Sequence, residues 1–147
     1  MNLLSSPDRT GTPKELSDRY REILDRIIKE CKEENDLVEM LKVFVTTIIK
    51  ETVSLVISRQ LLADVANLLL KLPHQVTRAV SHFILEKIQQ RVISFEEQVA
   101  TIRQHLATIY EGEGQWKEAA NVLVRIIPTR SKKVFCRNIF QSFLIIF

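Results

Sequence analysis

The chain has 147 residues, 46% of them apolar and 27% charged, with 21 Lys and Arg against 18 Asp and Glu for a net charge of +3. That length supports one buried core, and the small, mixed charge excludes the strongly basic signature of a dedicated nucleic-acid binder. Three Gly and four Pro argue against a loop-rich or all-β fold, while two distant cysteines, Cys31 and Cys136, argue against a disulfide framework and for a reducing, intracellular compartment.

Residues 1–12 read as a flexible leader, with Ser, Pro and Gly prominent. The leader lacks the basic start and long apolar run of a secretory signal. No run in the chain reaches the roughly 20 apolar residues of a membrane span. Thr12, Pro13 and Glu15 make a strong helix start: a cap, a proline in the first turn and a capping-box glutamate. The stripe Leu16, Tyr20, Ile23, Leu24, Ile27, Ile28 and Cys31 predicts a helix over 13–32. A second helix, 36–51, carries Leu37, Met40, Leu41, Phe44, Val45, Ile48 and Ile49, a stripe wide enough for burial on two sides.

The β-branched run TVSLVI, residues 52–57, has no partner strand elsewhere and reads as a tight connection burying Leu55 and Ile57. Ser58 then caps a helix over 58–72 with Leu61, Leu62, Val65, Leu68, Leu69 and Leu72 on its apolar side. Pro73 ends that helix and opens the next, 74–89, which shows Val76, Val80, Phe83, Ile84 and Ile88. Mixed exposed charges such as Arg19, Arg26, Lys29 and Glu30 read as a solvated face.

The most informative stretch is 92–127. Ser94 and Glu97 form a second capping box, followed by Phe95, Val99, Ile102, Leu106 and Ile109 at steps of three and four. Gly112 and Gly114 interrupt the pattern, which resumes with Trp116, Ala119, Ala120, Leu123 and Ile127 before Pro128 stops it. Helices over 94–111 and 115–127 follow. The order Arg103, Leu106, Ala107, Tyr110, Ala119, Leu123, Pro128 has the spacing of a tetratricopeptide repeat, with Arg103 where that repeat usually carries Trp. Ala107 and Ala119 are small where two helix backbones approach, while Tyr110 and Leu123 fill the groove beside them. Tyr110 and Trp116 are expected to be substantially buried, so that Trp116→Ala would cost about 3–5 kcal/mol. Such a hairpin needs stacked neighbours. The predicted fold is therefore all-α: a tetratricopeptide-like α-solenoid of three stacked hairpins over residues 13–127.

From Pro128 the texture changes. Residues 128–147 open with a basic turn and end on Phe140, Phe143, Leu144, Ile145, Ile146 and Phe147. This divergent tail is too short for a membrane span. It either folds back over the open face at Leu123 and Ile127 as an improvised cap or forms an exposed apolar patch.

Little points to catalysis. His74, His82 and His105 show no spacing that converges on zinc and read as structural. Cys31 lies on an apolar stripe and is expected to be buried and inert. Cys136 sits near Lys133 and Arg137 but lacks a His and acid partner. Glu96 and Glu97 are explained by their place in a first helical turn. Gly112 and Gly114 lack the rest of a phosphate-cradling loop. The cluster from Arg130 to Arg137, with Phe135 and Phe140 nearby, reads as a basic linker before an apolar tail. No catalytic, cofactor or metal residues are assigned, and neither a membrane nor a specific nucleic acid is expected as a partner.

The segments SLVISRQLL (residues 54–62) and EKIQQRVISFEEQVATIRQHLATIYE (residues 86–111) resemble the fourth-subunit family of the COP-nine signalosome. That complex removes the ubiquitin-like protein NEDD8 from cullins. The likeness runs from about Lys14 to Val124, with Gln90 replacing a proline common in the motif. Related helical-repeat subunits occur in the proteasome lid and in a translation initiation factor. The resemblance implies a non-catalytic scaffold subunit whose N-terminal repeats precede a winged-helix PCI domain, the isopeptidase being a different subunit. It implies other signalosome subunits and cullin–RING ligases as partners, in cytoplasm and nucleus. After Ile127 the tail no longer follows the family, so a truncated form that assembles weakly is expected. The competing reading is a free-standing helical adaptor that binds a peptide or helix in its groove.

Overall fold

The computed structural model describes residues 11–124, and all of its regular structure there is helical. Six α-helices follow in order: α1 (Pro13–Glu30), α2 (Glu34–Ile48), α3 (Leu55–Leu69), α4 (His74–Ile88), α5 (Glu96–Gly112) and α6 (Trp116–Val124). A 3-10 segment, Gln89–Phe95, joins α4 to α5. No described helix is long and apolar enough to cross a membrane. The expected tail from residue 128, with Cys136 and the basic cluster, and the expected end of α6 at residues 125–127 lie outside the described residues, as does all but the end of the leader.

The first helix starts as its sequence dictates. The Thr12 hydroxyl accepts from the Glu15 N–H at 3.4 Å, and the Glu15 carboxylate accepts from the Thr12 N–H at 3.1 Å. Two of the helix's orphan donors are thereby satisfied. The helix ends at Glu30, where Cys31 leaves the helical conformation and still donates its N–H to Ile27.

Several predicted boundaries shift, each for a local reason. The helix α3 begins at Leu55, not Ser58, so half of the β-branched run is helical. The Ser58 N–H already bonds the Ser54 carbonyl at 2.9 Å. Starting early extends the buried stripe to Ile57, Leu61, Leu62 and Val65, and that burial outweighs β-propensity. Leu55 is half-buried rather than enclosed. Ser58 is therefore no cap. It is the fourth residue of α3, and its buried hydroxyl donates to the carbonyl of Ile48, the last residue of α2, at 2.6 Å. Thr77 repeats the device: fourth in α4, it donates to the carbonyl of Leu69, the last residue of α3, at 2.6 Å. Both hydroxyls supply a helix-end carbonyl that has no intrahelical donor. Pro73 precedes α4 as expected, but α3 has already stopped at Leu69.

The Ser94–Glu97 capping box does not form. Phe95 stands at the cap of α5 and no side chain caps that helix. The Ser94 carbonyl instead accepts from Arg59 Nε at 2.7 Å, and Arg91 Nη1 donates to the Ile49 carbonyl at 2.8 Å. The connection is thus tied to the end of α2 and the start of α3.

Packing links each helix to its successors. Helix α1 lies against α2 and α3, α2 against α3 and α4, α3 against α5, and α4 against α5. The outer pairs α1/α2 and α5/α6 close on each other, whereas the principal partners of α3 and α4 lie in neighbouring pairs rather than in each other. One core, including Ile27, Leu41, Phe44, Leu61, Val80, Ile84 and Ile102, spans α1 to α5. A second, smaller cluster of Leu106, Ala107, Tyr110 and Ala119 seals α5 against α6. Both alanines sit where close backbone approach was expected, and Tyr110 is only 7% exposed. Arg103 donates from Nη1 to the Val122 carbonyl across that seam at 3.1 Å. Gly114 turns the corner with φ +74°, a conformation open to glycine at little steric cost. Trp116, expected to be buried there, is 43% exposed. It is the first residue of α6, and the seam is closed one turn later by Ala119, which leaves the indole outside.

Candidate interaction surface

Helix α4 lies between α2 on one side and α5 on the other, and both flanks of its outer side pair cations with aromatic rings. Phe83 was expected only as part of an apolar stripe. In the structure it is half-buried, with Lys42 Nζ of α2 at 5.8 Å from its ring centroid and Lys87 Nζ of α4 at 5.5 Å. Each ammonium is attracted by the negative face of the ring. Lys42 also pairs with Glu39 at 3.1 Å, one helical turn away. Lys87 has no ion pair among the described residues. Val43, next to Lys42, leaves 44% of its surface in solvent.

On the other flank, the Arg78 guanidinium lies 5.3 Å from the Tyr110 ring centroid and chelates both carboxylate oxygens of Glu113. The Tyr110 hydroxyl meets His82 Nε2 at 2.8 Å. Burial, helped by the charge on Arg78, lowers the His82 pKa, with Glu118 acting against it. A neutral imidazole beside an arginine suits a structural tie. Burial also lowers the His105 pKa, with a hydrogen bond to the Ala66 backbone acting in the opposite direction. His74 opens α4 and is exposed. The three histidines do not come together as a ligand set, and among the described residues no three His, Cys, Asp or Glu gather closely enough to hold a metal ion.

Cys31 is half-buried at the end of α1, not fully enclosed. Burial raises its thiol pKa, and Asp36 and Glu30 add to the shift, which disfavours the reactive thiolate. Glu96 and Glu97 occupy the first turn of α5 and are exposed, where they complement the helix dipole. The described surface thus offers charge, aromatic edges and isolated apolar side chains such as Val43, Val56, Leu70 and Ile93. Sequence spacing held a signal for one part of it: Phe83 and Lys87 are four apart and must share a helix face. The contributions of Lys42 and Tyr110 come from other helices, and that of Glu113 from the turn after α5, so they have no such local signature.

Comparison with known proteins agrees with this picture. A family described as "PSMD12/CSN4, N-terminal" matches residues 2–127. The COP9 signalosome complex subunit 4 of Drosophila melanogaster is 53% identical over 117 residues, covering 80% of this chain and 28% of the relative. The protein of the same name from Dictyostelium discoideum is 36% identical over 132 residues, covering 90% of this chain and 32% of the relative. That from Arabidopsis thaliana is 36% identical over 120 residues, covering 82% and 29%. The chain spans less than a third of the length of these relatives. With a family match over nearly its whole length and relatives from animal, amoeba and plant, this chain belongs to the PSMD12/CSN4 N-terminal family.

Proposed function

We propose that the chain is a non-catalytic interaction and scaffold element of a COP9 signalosome-type assembly, which removes NEDD8 from cullin–RING ubiquitin ligases. The observation that carries this reading is the 53% identity to a protein named as subunit 4 of that complex. The described helices supply surfaces for partners rather than a reaction centre. Their packing order supports a tetratricopeptide-like stacked array: α1, α3 and α5 touch in succession, and α2 touches α4. In this reading the array is an arm. Its partners are other signalosome subunits and cullin–RING ligases, and it works in cytoplasm and nucleus.

Affinity purification of the tagged 147-residue chain, beside a tagged longer relative, tests the reading. Signalosome subunits recovered above an untagged control are expected. Recovery of none, while the longer relative brings down the complex, would overturn it.

A further inference from the structure

Two apolar clusters divide helix α5 between them. Val99 and Ile102 belong to the core that spans α1 to α5. Leu106, Ala107 and Tyr110 belong instead to the small cluster that α5 makes with Ala119 of α6. Leu85 of α4 borders both. The second cluster is thin, since two of its four buried side chains are alanines. Among the described residues α6 spans nine positions and packs chiefly on α5. A helix that short is not stable alone in water.

Where apolar contact is thin, polar contact is concentrated. Arg78 and His82 are four apart on α4 and share a face. Arg78 holds both carboxylate oxygens of Glu113, in the turn after α5, and its guanidinium lies over the Tyr110 ring. His82 Nε2 meets the Tyr110 hydroxyl at 2.8 Å. The grip is incomplete, because Arg78 Nε is buried and finds no acceptor among the described residues. The closed form therefore leaves a donor unmet that water would satisfy on opening.

We propose that residues 106–123 form a separately opening unit, held shut on α4 by a latch of Arg78, His82, Tyr110 and Glu113. Opening frays the last turns of α5 together with α6 and uncovers Leu85, Leu106 and Tyr110. Helices α1 to α4 and the start of α5 keep their own core. Such partial opening follows where buried apolar contacts are unevenly shared along a chain. The boundary falls between Ile102 and Leu106, where the two clusters part. The latch thus decides whether α6 is held at the end of the array.

The test is hydrogen exchange of the full 147-residue chain, read by mass spectrometry. Amides of residues 106–123 are expected to exchange through a common opening, about tenfold or more faster than those of residues 41–48 and 61–69 in α2 and α3. Glu113→Gln keeps the shape and loses the charge. It should speed that opening about fivefold and leave α2 and α3 unchanged, the effect being limited because each side chain of the pair is 32% exposed. Tyr110→Phe keeps the ring beside Arg78, removes only the hydroxyl, and should speed the opening by a smaller factor. Adding Glu113→Gln to Arg78→Gln should change little, since each removes the other's partner. Arg21→Gln breaks the pair with Asp64 that joins α1 to α3 and should leave residues 106–123 as they were. Circular dichroism confirms that each variant folds. Exchange of residues 106–123 in step with α2 and α3 would make the chain one cooperative unit and overturn the proposal. So would an effect of Glu113→Gln that is equal in all helices, or absent from residues 106–123. The opening needs no partner, so this result stands apart from whether the tagged chain recovers signalosome subunits.

Discussion

Thr77→Val replaces one hydroxyl by a methyl group of similar size. The residue is 1% exposed, and its hydroxyl donates to the Leu69 carbonyl at 2.6 Å where α3 ends. Valine keeps the branched shape and a similar helix propensity, so the change reports the hydrogen bond. Two effects add: the bond itself, about 0.5–1.5 kcal/mol, and a buried acceptor left short of a donor, about 1–3 kcal/mol. The second is softened because the Leu72 N–H also reaches the Leu69 carbonyl, at a long 3.4 Å. The expected loss is therefore near the lower end, about 1–2 kcal/mol. With a urea slope of about 1–2 kcal/mol per molar, the unfolding midpoint followed by circular dichroism should fall by roughly 1 M. Thr46→Val is the matched control. Its hydroxyl bonds the Lys42 carbonyl at 2.8 Å, but within one helix and in solvent, and its loss should cost less than about 0.5 kcal/mol. If the two variants unfold at the same midpoint, the buried hydroxyl is not a structural joint and the argument fails.

Trp116→Ala should cost about 1–2 kcal/mol, well below the ~3–5 kcal/mol of an enclosed ring, because 43% of the side chain stays in water. As Trp116 is the sole tryptophan, acrylamide should quench the native fluorescence readily, and a shielded signal would contradict the observed placement. Stability should also fall on mild acidification. Burial lowers the pKa values of His82 and His105 in the folded state, so the unfolded chain, with histidines near 6.5, takes up protons first. Their contribution is complete above about pH 6.5 and is lost as pH drops through the lower folded values. Melting temperatures between about pH 7.5 and 5 should show the decline, with His105→Gln flattening it, and a rise on acidification would refute the sign.

Much of the fold was legible because the apolar stripes repeat at 3.6 residues and say both "helix" and "this side in". Ile27, Leu41, Leu61, Val80, Ile84 and Ile102, all marked as stripe residues, lie in the core. The Thr12 cap was readable because both partners are three residues apart. Ser94 and Glu97 had the same spacing and failed, because the chain enters α5 through a 3-10 segment that puts Phe95, not Ser94, at the cap. Local chemistry proposes a cap and tertiary contacts decide. The early start of α3 is the same lesson in reverse: tertiary burial made helix from β-branched residues. The surface at Phe83 was half visible, through Lys87 on its own helix, and half hidden, through Lys42 forty-one positions before it. Trp116 misled because an aromatic in a helical stripe is normally core, whereas here it stands at the first position of its helix, before the packed seam begins.

The tie at Gln89–Phe95 bears on what changes of length the chain can absorb. Two arginines pin this connection from both sides, Arg91 to the end of α2 and Arg59 to Ser94. It therefore acts as a spacer of fixed length rather than a slack tether. One inserted residue in this 3-10 segment would turn everything after it by about 120°, carrying Val99 and Ile102 off the core they now fill with α3 and α4. The arginines would hold the segment while the helices after it rotated away. Insertions and deletions across a set of descendants of this chain should thus avoid these seven residues, although they form neither a long helix nor part of a reaction centre.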